Sequence, residues 1–205
     1  MKLSATILTF NSAKRLEAVL NALDFCDDIV ILDSGSSDNT LLIAAKFANV
    51  SIYKHEGEFL GFGKMHQKAT AFAKNSWILS IDSDEIVSTE LKDEILAANL
   101  DEKTVYAIGS KNFYKEEWIY SCGWYPDYKL RLFNKSITDF NDRMVHENIV
   151  TNGLKIVKLT SHLYHYSYNN YSEFIAKMQK YSDYYAKENC GKKTSTPLKA
   201  TLHAF

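Results

Sequence analysis

The sequence predicts an α/β protein, with a parallel, doubly wound sheet carrying helices on both faces. Two observations carry this expectation. Through the first half, short apolar β-rich runs alternate with stretches whose apolar residues recur at helical spacing. Acidic clusters then fall directly after two of the predicted strands, at the carboxyl ends where such sheets bind ligands.

Leu3 to Phe10 reads as the first strand. Asn11 or Ser12 caps a helix with Leu16, Val19, Leu20 and Leu23 on one face. Ile29 to Leu32 is a short buried strand ending at Asp33, and Asp38 or Asn39 caps a second helix, Thr40 to Ala48. Val50 to Tyr53 is the third strand. Glu56 to Gly63 holds three glycines and reads as a loop. A helix is expected over Lys64 to Ala73, a fourth strand over Trp77 to Ile81 and a helix over Glu90 to Ala98. The second half changes character: Thr104 to Phe113 and Trp118 to Phe133 are aromatic and strand-like, and Tyr171 to Lys187 is an amphipathic helix. No internal repeat, low-complexity segment or linker interrupts the chain.

The 205 residues suffice for one domain with a substantial core, and 46% hydrophobic with 24% charged residues is an ordinary globular balance. A net charge of -1 gives no global pull toward nucleic acid. Cys26, Cys122 and Cys190 are widely spaced, which argues against a zinc ribbon or disulfide framework and fits a reducing compartment. No apolar run is long enough to span a bilayer and no signal-peptide pattern opens the chain, so a cytoplasmic protein is expected. The tail carries Lys192, Lys193 and Lys199 near Leu198 and Leu202, a composition suited to anionic headgroups of the inner membrane.

The stretch Trp77 to Val87, WILSIDSDEIV, poses the main question. Asp82, Asp84 and Glu85 crowd three carboxylates that repel each other. A divalent cation would hold them together, and hard cations choose oxygen ligands. A carboxylate at the end of the second strand, Asp33 in ILDSGSSDNT, can accept from the N–H of a uracil ring, with Gly35 letting the backbone turn tightly.

Together, ATILTFNSAKRLEAVLNAL, DDIVILDSGSSDNT and WILSIDSDE resemble family 2 glycosyltransferases of the GT-A fold. CGWYPDYKLRLF, MVHENI and YHYSYNNYSEFIAKMQKYSDYYA resemble the bacterial lipopolysaccharide-core β-glucosyltransferase subgroup. The resemblance implies one GT-A domain, with a Rossmann-like donor half over residues 1–99, an acceptor half over 100–190 and a basic tail over 191–205. Relatives in this subgroup often continue past this point. It implies an inverting, metal-dependent transfer of a hexose, glucose from UDP-glucose, to a heptose of a lipid-linked core oligosaccharide.

By position, Asp33 would contact uracil, Asp82 the ribose or the metal, and Asp84 the Mg2+ or Mn2+ ion. Thr9, Phe10 and Asn11 would cradle the nucleotide, with Ser34, Gly35 and Ser83 beside it. Arg131 suits a diphosphate or an acceptor phosphate, or else a salt bridge to a nearby Asp. His165 would join the metal or the diphosphate, with His146 a further candidate. An inverting transfer also needs a carboxylate base. Glu147 is favoured, and Asp127 is the alternative. Two departures stand out: Ser12 replaces a frequent Glu, and His66-Gln67 replaces a basic residue followed by Asn. Rival readings are a phosphohydrolase, from a faint likeness of DSDEI to a nucleophile loop, and a carbohydrate-binding module, from the aromatics Trp118, Tyr120, Trp124, Tyr125 and Tyr128.

Overall fold

The computed structural model describes residues 2–191. Its strands are β1 Leu3–Thr9, β2 Asp28–Asp33, β3 Val50–Lys54, β4 Trp77–Asp82, β5 Glu85–Val87, β6 Thr104–Tyr114, β7 Glu117–Trp118, β8 Asp127–Asn134 and β9 Lys155–Tyr168. Its helices are α1 Ala13–Asn21, α2 Thr40–Ala44, α3 Phe62–Phe72, α4 Thr89–Ala97 and α5 Tyr171–Asn189. The nine strands form one sheet in the order β3-β2-β1-β4-β8-β6-β9-β5, with β7 paired to β6.

The first four strands are parallel, as the alternation with helices requires. Their side chains divide by parity between two cores. Ile29 and Ile31 face the core built with Leu16, Val19 and Leu20 of α1, whereas Val30 and Leu32 face the core built with Met65 and Ala69 of α3. β2 is buried on both faces, hence its unbroken apolar run.

The second half continues the same sheet. β8 pairs antiparallel with β4, β6 antiparallel with β8, and β9 parallel with β6. β5 follows β4 after only Ser83 and Asp84, yet it pairs with β9 at the far end of the strand order. The sheet therefore curls until its end strand meets the carboxyl end of β4. This closure brings the last strand's residues to the acidic cluster.

Three expected elements differ. The second helix ends at Ala44, because Lys46 and Phe47 tighten to bonds with Ile43 and Ala44 three residues back. The expected strand over Trp118 to Phe133 is split. β7 has two residues, and a loop through Cys122 (φ 55°), Gly123 (φ 77°) and Pro126 precedes β8. The long helix forms over Tyr171–Asn189 but buries no residue in a core. The basic tail lies outside the described residues.

Candidate active site

The main cavity, of about 1200 Å3, opens at the carboxyl ends of β1 and β4. Asp82, Ser83 and Asp84 line its floor. β8 contributes Lys129 and Arg131, the connection after β8 contributes His146 and Glu147, and β9 contributes His165. α5 roofs it with Lys177, Lys180, Tyr181 and Tyr184, and Tyr184 and Tyr181 stack on Phe59 and Phe62 at 5.3 and 5.6 Å.

The crowding of carboxylates at β4 is relieved first by an arginine. Arg131 Nη2 donates to Asp82 Oδ2 and to Glu85 Oε1, both at 2.6 Å. Glu85 is fully buried, and its other oxygen accepts from the Asp82 amide at 3.0 Å. Burial disfavours the Arg131 cation, but the Asp82 and Glu85 carboxylates override it and raise its pKa. The same partnership overcomes the burial of Asp82 and holds that carboxyl well below the usual range. Of the two roles expected for Arg131, the structure shows the salt bridge to a nearby Asp. Its guanidinium is spent inside the protein, because leaving Glu85 unpaired in the sheet would cost several kcal/mol, roughly 3–5.

Asp84 has a different partner. Glu85 is paired with His165 in the β5–β9 ladder, and the Tyr166 amide donates to the Asp84 carbonyl at 3.0 Å. This register sets His165 Nε2 at 3.5 Å from Asp84 Oδ1. Burial opposes ionisation of Asp84, and the His165 contact reverses it and lowers its pKa. His165 Nδ1 lies 2.7 Å from the side-chain oxygen of Asn112, its neighbour across the β6–β9 ladder. With Nδ1–H donating there, Nε2 is the ring nitrogen turned toward Asp84 and the cavity. One ligand atom from each of Asp82, Asp84 and His165 lies within 4.8 Å of the others. Two carboxylates and one imidazole form a donor set that a divalent cation accepts.

The loop after β2 is built around Asp33. Thr9 donates to Asp33 Oδ1 at 2.8 Å, Gly35 and Ser36 amides to Oδ2 at 3.0 and 2.8 Å, and the Ser36 hydroxyl adds a further bond. Burial opposes its charge, and these bonds more than compensate, so its pKa falls. Asp33, expected to meet uracil, is 1% exposed and accepts from the turn it shapes. Gly35 permits that turn at φ 94°. Thr9, Phe10 and Ser34 line the cavity, whereas Asn11 (φ 51°) caps the Ser37 and Asp38 amides. Ser12, where a Glu was the commoner expectation, bonds Ser83 across the strand ends at 2.8 Å.

Glu147 and Asp127 are separated. Glu147 faces the main cavity, directed there by His146 in the left-handed region at φ 56°. Burial raises the Glu147 carboxyl pKa, with the Asp82 charge adding to it. Asp127 lies in a second, open cavity of about 320 Å3 with Asn112, Trp124 and Tyr168, and Asn112 Nδ2 reaches it at 3.4 Å. Asp127, the alternative base in the sequence reading, thus lines a different cavity from Glu147. Sequence reasoning missed Asn112, Lys177, Lys180 and Tyr181. Asn112 carries no motif signal, since only strand pairing reveals its contact with His165.

A family model described as "Glycosyl transferase family 2" matches residues 4–154. The chain belongs to glycosyltransferase family 2. This family 2 glycosyltransferase is 32% identical to an uncharacterized glycosyltransferase of Rickettsia bellii, over 98% of this chain and 72% of the relative. It is 27% identical to the lipopolysaccharide core biosynthesis glycosyltransferase LpsC of Rhizobium meliloti, over 89% of this chain and 69% of that protein. Its fold resembles S. aureus TarS at TM-score 0.61 and 22% identity, covering 92% of this chain and 40% of TarS. A TarS 1–349 structure in complex with UDP-GlcNAc aligns at TM-score 0.58 and 20% identity, over 85% of this chain and 61% of that one. Glucosyl-3-phosphoglycerate synthase from Mycobacterium tuberculosis, solved with Mn2+, UDP and phosphoglyceric acid, aligns at TM-score 0.56 and 16% identity, over 95% of this chain and 80% of that one. The fold is thus GT-A, and the phosphohydrolase and binding-module readings give way to an enzyme of this family.

Proposed function

We propose that the chain transfers glucose from UDP-glucose, with inversion, to a heptose of a lipopolysaccharide or lipooligosaccharide core. One observation carries the reading: the Asp84–His165 pair and Glu147 line a single cavity. The first can hold the donor's diphosphate through a divalent ion, and the second can serve the acceptor. The LpsC likeness supports the core-oligosaccharide acceptor. UDP in the TarS and mycobacterial complexes supports the donor class.

Asp82, Asp84 and His165 would hold Mg2+ or Mn2+. Bound there, the ion supplies charge neutralisation for the departing UDP. Thr9, Phe10, Ser34 and Ser83 line the donor pocket, and Asp33 shapes it from beneath with Gly35. Lys177 and Lys180 face the same space from α5 and add positive charge where the departing diphosphate develops negative charge. Glu147 takes the proton from the attacking acceptor hydroxyl, and its raised pKa makes it a stronger base than an exposed carboxylate. The acceptor is lipid-linked, so the reaction belongs at the cytoplasmic face of the inner membrane. No helix among the described residues is long and apolar enough to cross that membrane.

The test is calorimetric titration with UDP, with Mn2+ and then with chelator, followed by transfer from UDP-glucose, UDP-galactose and UDP-N-acetylglucosamine to delipidated core oligosaccharide. Chelator-sensitive UDP binding and a β-glucosyl product support the reading. Absence of UDP binding in both conditions would overturn it, and transfer of another sugar would replace the donor.

A further inference from the structure

Helix α3 departs from the resembled pattern at His66-Gln67, and both residues reach toward the segment that carries Glu147. Gln67 Nε2 donates to the Phe140 carbonyl at 2.6 Å and to Asp142 Oδ1 at 2.8 Å. The amides of Phe62 and Gly63 donate to the Met144 and Arg143 carbonyls, both at 3.0 Å. A Cβ on Gly63 would meet the Asn141 carbonyl oxygen at 1.9 Å, so only glycine lets the helix approach this closely. One turn on, His66 is 2% exposed, and its ring stacks on Phe140 at 4.4 Å and 16°. Its Nε2 lies 3.8 Å from Glu147 Oε1, and Ser80 Oγ lies 3.4 Å from its Nδ1.

Resting on the reading of Glu147 as the base, we infer that His66 is its positioning residue: a buried imidazole N–H that holds the carboxylate toward the acceptor. The ring is held by Phe140 against its face and by Ser80 at Nδ1. In the tautomer this role requires, the Ser80 hydroxyl donates to Nδ1 and the ring proton sits on Nε2, facing Glu147. Burial pushes the His66 pKa down to about 4, so at neutral pH the contact is a dipole toward a charge and not an ion pair. A histidinium there would neutralise the base. A neutral imidazole orients it and leaves it able to accept a proton. Asp82 of β4, Lys129 and Arg131 of β8 and the Tyr181 hydroxyl of α5 also act electrostatically on Glu147 or are acted on by it. Among the described residues, His66 Nε2 comes within ion-pair range of the Glu147 carboxylate, at 3.8 Å.

The experiment compares His66→Phe, His66→Gln, Glu147→Gln and the double variant His66→Phe/Glu147→Gln. Phenylalanine keeps the stack on Phe140 and removes the N–H; glutamine restores a donor near the Nε2 position. The readout is UDP release by water from whichever of UDP-glucose, UDP-galactose and UDP-N-acetylglucosamine turns over fastest. Mn2+-dependent UDP binding reports on the fold. His66→Phe should lower kcat by about 10- to 100-fold, as expected for a misplaced catalytic group, with KM and UDP binding unchanged. His66→Gln should recover most of the loss, and the double variant should be no slower than Glu147→Gln.

A second readout needs no turnover. In protein labelled with carbon-13 glutamate, the Glu147 carboxyl resonance, assigned by its loss in Glu147→Gln, should shift in His66→Phe and return in His66→Gln. Near wild-type turnover in Glu147→Gln overturns the base reading itself. An inactive Glu147→Gln beside a fully active His66→Phe, a loss that multiplies in the double variant, or an unmoved resonance overturns the positioning role while leaving the base in place.

Discussion

Arg131 and Glu85 meet at 2.6 Å inside the sheet, with Glu85 fully buried and Arg131 nearly so. The same guanidinium nitrogen also holds Asp82. The acidic run after β4 is therefore two structures in one: Glu85 anchors the floor, and Asp84 faces the cavity.

Replacing one partner should expose this division. Arg131→Met leaves Glu85 and Asp82 without their cation and is expected to cost about 3–5 kcal/mol. Chemical denaturation measures it. Arg131→Met/Glu85→Gln should recover part of the loss, because one buried charge is then removed with its partner.

Asn112 fixes the tautomer of His165 from outside the cavity. Asn112→Ala should weaken Mn2+ binding in the presence of UDP by roughly 10- to 100-fold, with little change in melting temperature. Calorimetry with and without UDP reads this directly. An unchanged Mn2+ affinity would remove Asn112 from the site.

The pH dependence of turnover should carry its acid limb on Glu147. Its pKa is raised from 4.5, so the base is protonated, and activity lost, as pH falls through a value above 4.5. Asp82 and Asp84 are shifted down from 3.8 and remain ionised across that range. Rate profiles from mildly acidic to neutral pH test the assignment. In Glu147→Gln the limb should vanish along with most of the rate.

His66 makes a separate contribution to stability. Its folded pKa of about 4 lies below the ordinary histidine value of 6.5. Between those values the unfolded chain binds the extra proton, so stability is complete above about pH 6.5 and declines as pH falls toward 4. The full decline is about 3 kcal/mol for a shift of this size. Urea melts across this window should show a shallower slope for His66→Phe than for the parent.

Gly63→Ala places a methyl group against the Asn141 carbonyl. The clash forces α3 away from the segment leading to Glu147, at a cost of about 1–3 kcal/mol. Turnover should fall more than UDP binding, which depends on the opposite wall. Equal losses in both would mean that the whole cavity has shifted.

Local pattern determined much of this protein. The alternation of apolar runs and helical faces specified β1 to β4 and their helices, because each side-chain period is a property of a few consecutive residues. The placing of Asp82 and Asp84 at a strand's carboxyl end marked the ligand edge for the same reason. Tertiary structure alone decided which acids are free. Arg131 reaches Asp82 and Glu85 through the β4–β8 pairing, and His165 reaches Asp84 because β5 closes the sheet onto β9. Asp33 turned inward because Thr9, Gly35 and Ser36 converge on it, and Asp127 fell into a separate cavity because the loop before β8 carries it there. His66 met Glu147 through the packing of α3 on a distant loop. Partners far apart in sequence leave no periodicity to read; they are chosen by strand order, register and the burial that makes an unpaired charge costly.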